Sequence, residues 1–275
     1  MSPKIVIHVA DIHIRNYHRV EEYGVQLNKF LDKCKEISSG YDKQDVRIVI
    51  CGDFVHSKNQ ITNELIVFTS LFLRELEKIA TVIVISGNHD LVSSNKSRTD
   101  TLTALFEAAK FENSMFLDEM LNYESGCVVD GDVTWAVYSI HSNYSKPDIL
   151  SAKEEHPNNL VIGLYHGMVV GAKLQNGFKA ESGLDASAFN GCDIVMAGDI
   201  HKRQDMKKRG CVISYPGSLI QQDYGETVSG HGFNVWNLED GSHEFVELET
   251  DYGLYAVEIN NADDIDQDKE KLLNA

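Results

Sequence analysis

Cysteine, long apolar runs and basic residues are all scarce in this sequence of 275 residues. Its five cysteines are odd in number and show no Cys-x-x-Cys spacing, so we expect reduced, mostly buried thiols rather than a disulfide framework or a thiolate zinc site. No apolar run approaches the roughly 20 residues that span a bilayer, and residues 1–4 lead directly into a predicted strand instead of a signal peptide. We therefore expect a cytoplasmic protein with no membrane association, located in the host cytosol if it is viral.

Positive charge is in deficit, because 25 Lys and Arg residues stand against 42 Asp and Glu residues, for a net charge of −17. DNA-binding surfaces are usually basic, since Lys and Arg release counterions from the phosphates. The charge is therefore the strongest objection in the sequence to a nucleic-acid substrate. It is unevenly spread, however: residues 239–275 hold twelve acidic residues and only two lysines. Bound metal ions would also add local positive charge to the remainder.

The pattern of apolar residues predicts an alternating α/β chain without internal repeats or low-complexity segments. Short β-branched runs bounded by turn residues predict buried strands at 4–10, 46–51, 81–86, 159–165 and 193–197. Apolar residues at helical spacing predict helices over 20–37, 64–79 and 100–110, the last capped by Thr99 or Asp100. Further strands are predicted at 127–129, 133–140, 211–214, 232–238 and 243–249, with the last two joined as a hairpin through Asp240-Gly241.

A short polar motif follows each of the five buried strands: Asp11-Ile12-His13, Gly52-Asp53, Gly87-Asn88-His89-Asp90, Tyr165-His166-Gly167 and Gly198-Asp199-Ile200-His201. Each motif alone is ordinary turn chemistry, but open α/β sheets build their sites at the carboxyl ends of strands. Carboxylate and amide oxygens mixed with imidazole nitrogens suit divalent Mn, Mg, Fe or Zn. Two such ions about 3.5 to 4 Å apart activate water for attack on phosphorus, so the motifs together predict a two-metal phosphoesterase.

The motif string resembles the calcineurin-like metallophosphoesterase superfamily, and within it the SbcD-type DNA-repair nucleases. The subgroup resemblance depends on His56 three residues after Asp53, on the run from Gly198 to Arg203, and on the segment Tyr215-Pro216-Gly217-Ser218. The resemblance covers roughly residues 4–238. It implies a four-layer α/β/β/α fold in which two packed mixed β-sheets are flanked by helices. Residues 1–238 would form the nuclease domain, and residues 239–275 the start of an incomplete acidic cap with a strand at 254–259 and a helix at 263–273.

The resemblance also implies a role for each motif residue. One metal would be held by Asp11, His13, Asp53 and His201, and the other by Asp53, Asn88, His166 and Asp199, with Asp53 as the bridge. Three further residues would serve catalysis: His89 as the general acid for the leaving oxygen, Asp90 as its orienting partner, and His56 as a contact to the scissile phosphate or its departing group. Candidate DNA contacts are Arg15, Lys58, Lys202 and Arg203, and ordinary solvated charge is the alternative interpretation of these residues.

Asp199 departs from the family pattern, which has histidine at this position. The ligand set survives, but its charge changes. Three carboxylates against two divalent ions leave a formal charge of +1 where histidine would leave +2. We expect weaker Lewis acids and a preference for hard ions, with Mn favoured over Mg, Fe and Zn.

Several histidines outside the motifs carry no predicted chemistry. His18, His156, His231 and His243 are interpreted as solvent-facing or loop residues, and His141 as a loop residue that could line the cleft. The histidine content of the chain therefore does not by itself enlarge the predicted site.

These observations favour a Mn-dependent DNA nuclease of repair and recombination. By resemblance it would be a 3′-to-5′ exonuclease and single-strand endonuclease, dimeric and paired with an SbcC-type ATPase. The same site also fits a small-molecule phosphodiesterase or a phosphoprotein phosphatase, which the acidic charge would suit better. A third hypothesis is a metal-bound scaffold without turnover, and the intact His89 argues against it.

Overall fold

The computed structural model describes residues 2–15, 17–58, 61–92, 98–208 and 210–255. These residues form five α-helices: α1 Val20–Ser38, α2 Asn63–Ile79, α3 Thr101–Ala109, α4 Leu117–Met120 and α5 Ile149–Glu155. They also form twelve strands: β1 Ile5–Val9, β2 Val46–Cys51, β3 Thr81–Ile85, β4 Ser114–Phe116, β5 Gly126–Asp130, β6 Val133–Tyr138, β7 Leu160–His166, β8 Ile194–Gly198, β9 Gln204–Lys208, β10 Cys211–Tyr215, β11 Gly232–Asn237 and β12 Ser242–Glu247.

The strands form two mixed six-stranded sheets, in the orders β12-β11-β1-β2-β3-β4 and β5-β6-β7-β8-β10-β9. In the first sheet β1 to β4 are parallel, and the β11-β12 hairpin adds antiparallel strands at one edge. In the second sheet β6, β7, β8 and β10 are parallel, with antiparallel β5 and β9 at the edges. The central strands are buried on both faces, which explains their continuous apolar runs.

Three apolar layers hold the sheets and helices together. The first, with Phe30 and Phe72, fills the space between the long helices and the outer face of the first sheet. The second, with Val49 and Trp135, lies between the two sheets, and the third, with Phe189, covers the outer face of the second sheet. The predicted fold of two packed mixed sheets flanked by helices is confirmed.

The five predicted motif-bearing strands and the three long helices are all present, with bounds shifted by two residues or fewer. The cap of α3 is Asp100, whose carboxylate accepts a hydrogen bond from the Thr103 amide at 2.8 Å. The sequence did not predict β9 because its residues, QDMKK, belong to a half-exposed edge strand without an apolar run. The short elements β4, α4 and α5 were missed because each is too brief to show a period.

The first sheet continues past residue 238. β12 pairs with β11 along its whole length, so residues 242–247 belong to this sheet. The next residues also stay on this core: Leu248 is buried, and the carbonyl of Glu249 accepts a hydrogen bond from Lys29. Most of the predicted strand at 254–259 and all of the helix at 263–273 lie outside the described residues. Among the helices that are described, none is long and apolar enough to cross a membrane.

Candidate two-metal centre

The five motifs converge because their strands end at one edge of the sandwich. β1, β2 and β3 bring three motifs from the first sheet, and β7 and β8 bring two from the second. Four of the predicted ligands adopt left-handed backbone angles, with φ of 52° at Asp11, 51° at His13, 53° at Asp53 and 87° at Asp199. Such angles are uncommon for residues other than glycine and concentrate at functional sites. They turn the side chains sharply out of the strand direction and toward one another.

At two glycines of the motifs, neighbouring atoms lie too close for any side chain to fit. A Cβ atom added at Gly52, whose φ is +80°, would lie 2.3 Å from Nδ1 of His166. At Gly87 it would lie 2.2 Å from both the amide nitrogen and a carboxylate oxygen of Asp53. Because Gly52 and Gly87 have no side chain, the ligands from neighbouring strands can pack against their backbone.

Asp11, His13 and His201 form one group of potential ligands, with one ligand atom from each within 4.8 Å of the others. The Nε2 atoms of His13 and His201 are 3.1 Å apart, and Nε2 of His201 lies 3.9 Å from a carboxylate oxygen of Asp11. A carboxylate oxygen of Asp53 lies 3.4 Å from Nε2 of His13. These are the four residues predicted to hold the first metal.

Asp11, Asp53 and His166 form the second group. Nε2 of His166 lies 3.3 Å from one carboxylate oxygen of Asp53 and 3.9 Å from one of Asp199. The other carboxylate oxygen of Asp53 is the one that faces His13, so this residue lies between the two groups. The backbone amide of Asp199 donates to both oxygens of Asp11, at 3.0 and 3.1 Å.

The donor set fits divalent cations because several buried polar atoms lack any other partner. Among the described residues, Nδ1 of His13, Oδ1 of Asn88 and Nε2 of His166 are buried without a hydrogen bond. Buried polar atoms are nearly always paired, so such orphans demand an explanation. A metal ion at the second group would supply partners for Asn88 and His166, both of which were predicted to hold the second ion.

Hydrogen bonds on the far side of two histidine rings fix which nitrogen faces the centre. Nδ1 of His166 lies 2.8 Å from the Cys51 carbonyl, which can only accept, so Nδ1 carries the proton and Nε2 presents its lone pair. Nδ1 of His201 lies 2.5 Å from Glu226. Carboxylate and carbonyl partners of this kind orient metal-binding histidines and raise their basicity.

Glu226 is the functional residue that the sequence did not reveal. Its carboxylate is buried and also accepts hydrogen bonds from the Ser218 hydroxyl and the Gln222 amide, both at 2.9 Å. Ser218 belongs to the segment Tyr215-Pro216-Gly217-Ser218, which was noted only as a resemblance. That a buried acid should support a histidine ligand is a general rule, but no local pattern marks which acid does so.

Burial and mutual contacts shift the pKa values of the acidic and histidine side chains in the centre. Burial raises the pKa of Asp11 to about 7. Burial also disfavours the charged form of His201, but the contacts with Glu226 and Asp11 dominate and raise its pKa to about 9. Burial opposes ionisation of Asp53 too, yet His166 and His13 bring its pKa below the ordinary value. Divalent ions that bind here would therefore displace protons from Asp11 and His201.

His56 and His89 lie beside His13 at the mouth of the centre. The ring centroids of His13 and His89 are 4.7 Å apart, and those of His56 and His89 are 5.2 Å apart in a stacked arrangement. Nδ1 of His89 is 2.7 Å from the His56 carbonyl, so its proton is directed there and Nε2 is left for a substrate. Burial lowers the pKa of His56 to about 4, and the charge of Arg15 adds to this shift.

The role predicted for Asp90 needs correction. Its buried carboxylate accepts hydrogen bonds from the backbone amides of Gly87, Val55 and Phe54, at 2.8, 3.1 and 3.3 Å. The partner that orients the His89 ring is instead the carbonyl of His56. Asp90 thus joins the motifs that follow β2 and β3 by holding their backbones.

The candidate DNA contacts differ in their surroundings. The Arg15 guanidinium is ordered by the side chain and carbonyl of Gln222, at 3.0 and 3.3 Å, and lies near His56. Lys58 and Lys202 are half-buried and follow His56 and His201 closely in the chain. Arg203 is exposed, and its guanidinium lies over the Phe245 ring at 4.3 Å.

Two other histidines have environments worth noting. His141 lines the cleft beside Asn88, as predicted, and its Nε2 lies 3.1 Å from the Ser86 hydroxyl. His231 was predicted to face solvent or a loop, and this is wrong: it is buried, with its ring nitrogens near Ser218 and Thr227. It helps to hold the segment that carries Glu226.

Comparison with known families agrees with this geometry. A family model described as calcineurin-like phosphoesterase matches residues 5–203. The chain belongs to this family. The matched range contains all of the motif residues, so the convergence described above is the centre of a metallophosphoesterase fold.

Two proteins are similar to the chain in sequence, and a solved structure is similar to it in fold. It is 37% identical over 267 residues to a protein of Acanthamoeba polyphaga mimivirus, R555, of unassigned function, covering 93% of this chain and 19% of that protein. It is 25% identical over 293 residues to the SbcD component of the nuclease SbcCD from Staphylococcus saprophyticus, covering 95% of this chain and 73% of that protein. A solved archaeal phosphodiesterase is 13% identical with a TM-score of 0.41, covering 89% of this chain and 99% of that one. The chain thus spans about a fifth of the length of the viral relative.

Proposed function

We propose that this phosphoesterase is a metal-dependent DNA nuclease that processes DNA ends in repair and recombination, with 3′-to-5′ exonuclease and single-strand endonuclease activities. The observation that carries the proposal is the convergence of five motifs on two adjoining ligand groups that contain Asp11, beside a third group formed by His13, His56 and His89. The similarity to a nuclease component over 95% of the chain supports the choice of substrate. The reduced cysteines agree with a cytoplasmic location.

The proposed ligand sets remain those implied by the sequence. Asp11, His13, Asp53 and His201 would hold one ion, and Asp53, Asn88, His166 and Asp199 the other. When bound, the ions would supply Lewis-acid stabilisation of the phosphoryl oxygens and activation of water. The oxygen-rich set, with Asp199 in place of histidine, favours Mn over Mg, Fe or Zn.

The other residues of the site would bind the substrate and move a proton. His89 has its Nδ1 proton committed to the His56 carbonyl, so Nε2 is the atom that would deliver a proton to the leaving 3′ oxygen. His56, with its lowered pKa, would meet the phosphate as a neutral ring. Beside His56, Arg15 would neutralise the charge of the phosphate. Lys58 and Lys202 would contact further phosphates along the DNA strand.

The proposed partners are DNA, an SbcC-type ATPase and a second copy of the chain. Exposed apolar residues on α1 and α2 support a homodimer, since Val20, Val67 and Leu71 are each 57% exposed. Leu71→Glu should shift the protein from dimer to monomer in light scattering without loss of folded structure. A wild-type protein that is monomeric at all concentrations would contradict this part of the proposal.

A nuclease assay tests the main proposal. End-labelled duplex and single-stranded DNA are incubated with Mn, Mg or chelator, beside bis-p-nitrophenyl phosphate as a small diester. We expect Mn-dependent cleavage of DNA that chelator abolishes. Turnover of the small diester alone would favour the second candidate, a small-molecule phosphodiesterase or phosphoprotein phosphatase, to which the net charge of −17 is better suited. Full metal binding without hydrolysis of any ester would indicate a scaffold.

A further inference from the structure

A large cleft opens directly beside the metal centre, and Asn88 is the proposed metal ligand that lines it. Its volume is about 690 Å³, within the range of small-molecule sites. We call it the tyrosine cleft and define it by the lining residues Asn88, Asn122, Tyr123, His141, Asn143 and Tyr144. Because Asn88 is also a proposed metal ligand, the cleft and the centre share a wall.

The backbone around the cleft is held in an uncommon conformation. Two pairs of adjacent residues lie in the left-handed region, with φ of 53° and 63° at Asn122 and Tyr123, and 55° and 57° at Asn143 and Tyr144. All four residues line the cleft. A bulky residue such as tyrosine in this region costs free energy and persists only where the surroundings impose it. The metal ligands Asp11, His13, Asp53 and Asp199 share this conformation, so the strain is concentrated at the centre and at the adjoining cleft.

Serine hydroxyls tie the two turns of the cleft together. The hydroxyls of Ser125 and Ser142 are 2.9 Å apart, and the Ser125 hydroxyl also accepts a hydrogen bond from the Ser139 amide at 3.0 Å. The Tyr144 amide donates to the Ser139 carbonyl at 2.8 Å. The turns therefore form one preorganised wall rather than two independent loops.

The same wall is joined to the metal-binding motif through Asp118. This buried carboxylate accepts hydrogen bonds from the amide of Ser86, at 2.7 Å, and from the hydroxyl of Ser139. Ser86 precedes the Gly87-Asn88 ligand segment and also contacts His141 through its hydroxyl. The positions of Asn88 and of the cleft are consequently fixed relative to each other.

The lining offers flat rings and amide groups. The rings of Tyr123 and His141 meet edge to face with centroids 5.0 Å apart, and Tyr144 packs against Tyr165, next to the ligand His166, at 5.1 Å. Aromatic rings stack on nucleobases, and asparagine side chains both donate to and accept from base edges. Arg98, Asp100 and Glu124 also line the cleft and bring charge of both signs to it, so its polar surface is not limited to amides.

We propose that the tyrosine cleft is the nucleoside subsite of this enzyme: it binds the base of the nucleotide whose phosphate lies at the metal centre, with the ring of Tyr144 as the main stacking surface. The inference deepens the proposed function, since it rests on a nucleotide substrate. It locates affinity for the base on the Asn88 side of the centre.

Equilibrium binding to the Mn-loaded protein tests this directly, without turnover. Titration calorimetry compares thymidine 5′-monophosphate with 2-deoxyribose 5-phosphate, so that the base is the single difference. In the wild type we expect the base to tighten binding by about tenfold, the low end of the range for one stacked base. Tyr144→Ala should reduce that factor to less than about twofold while binding of the sugar phosphate stays unchanged, and Tyr144→Phe should preserve it.

Tyr17→Ala is the matched control, because Tyr17 is also left-handed, with φ of 57°, but is 70% exposed and lies outside the cleft. Equal binding of the two phosphates by the wild type would overturn the inference, as would a base effect that survives in Tyr144→Ala. Should Tyr144→Ala fail to fold, the wild-type comparison and Tyr123→Ala still decide. Base-dependent binding together with absent DNA cleavage would instead reject the proposed nuclease function and leave the subsite in place.

Discussion

Nδ1 of His201 lies 2.5 Å from the buried carboxylate of Glu226, a residue 25 positions further along the chain. This contact fixes the ring so that Nε2 faces Asp11 and His13. It also raises the basicity of His201 and therefore its strength as a ligand.

Glu226→Gln should weaken metal binding at the His201 group by about 10- to 100-fold while leaving the fold intact, because the amide keeps an acceptor for Ser218 and Gln222 but loses the charge. Calorimetric titration with Mn measures the affinity. Glu239→Gln, which removes an exposed carboxylate, serves as the control. Unchanged Mn affinity in Glu226→Gln would assign this residue a purely structural role.

Asp199→Ala should lose one metal ion and most activity, whereas Asp199→His should retain both ions. The physical reason is that either a carboxylate or an imidazole can fill the position near His166, and a methyl group cannot. Metal content after dialysis gives the stoichiometry. Two tightly bound ions and normal turnover in Asp199→Ala would remove this residue from the ligand set.

His89→Ala should lower DNA cleavage by about 10²- to 10⁴-fold with no change in metal content, because the leaving 3′ oxygen needs a proton. The loss should be much smaller with bis-p-nitrophenyl phosphate, since p-nitrophenolate departs without protonation. Parallel rate measurements on both substrates check this. An equal loss on both would mean that His89 contributes something other than acid catalysis.

Asp90→Ala should lower the free energy of unfolding by about 2 to 4 kcal/mol, because three backbone amides lose their acceptor in the interior. Urea denaturation of the metal-free protein measures the change. Asp100→Ala, which removes the helix cap of α3, should cost only about 1 kcal/mol and provides the comparison. A similar cost for both variants would argue that the Asp90 contacts are weak.

In the metal-free protein, Asp11 and His201 should contribute stability that is lost as pH rises, and metal uptake should release their protons. Burial raises the pKa of Asp11 to about 7, and the carboxylates around His201 outweigh burial and raise its pKa to about 9. A raised pKa stabilises the fold fully below the unfolded value, and the contribution disappears as pH rises through the folded value. The stabilising contribution of Asp11 should therefore be lost between about pH 4 and 7. That of His201 should be lost between about pH 6.5 and 9.

Melting curves from pH 5 to 9 with chelator or with Mn test this dependence. The gap in Tm between the two conditions should widen with pH, and Mn affinity should rise over the same range. Calorimetry in buffers of different ionisation enthalpy counts the protons released. A pH-independent Mn affinity would contradict the assignment of Asp11 and His201 as ligands that titrate before binding.

The sequence alone was sufficient for the central strands, the long helices and the motif residues. Val46–Cys51 and its neighbours are short β-branched runs that end in a glycine or polar residue, so both the strand and the point where its side chains leave the sheet are encoded locally. Asp11 and Asp53 could be placed together because β1 and β2 are parallel strands of one sheet and end at the same edge. His166 follows β7 of the second sheet, so its approach to them depends on how the two sheets pack.

Only the tertiary structure decided which residues support those ligands. Glu226 reaches His201, Asp90 reaches the backbone of Val55, and Asp118 joins Ser86 to Ser139, in each case between segments more than 20 residues apart. The tyrosine cleft likewise forms where turns after α4 and β6 meet the segment after β3. Such contacts depend on how the two sheets pack and on left-handed turns at residues 122–123 and 143–144, which no local periodicity encodes.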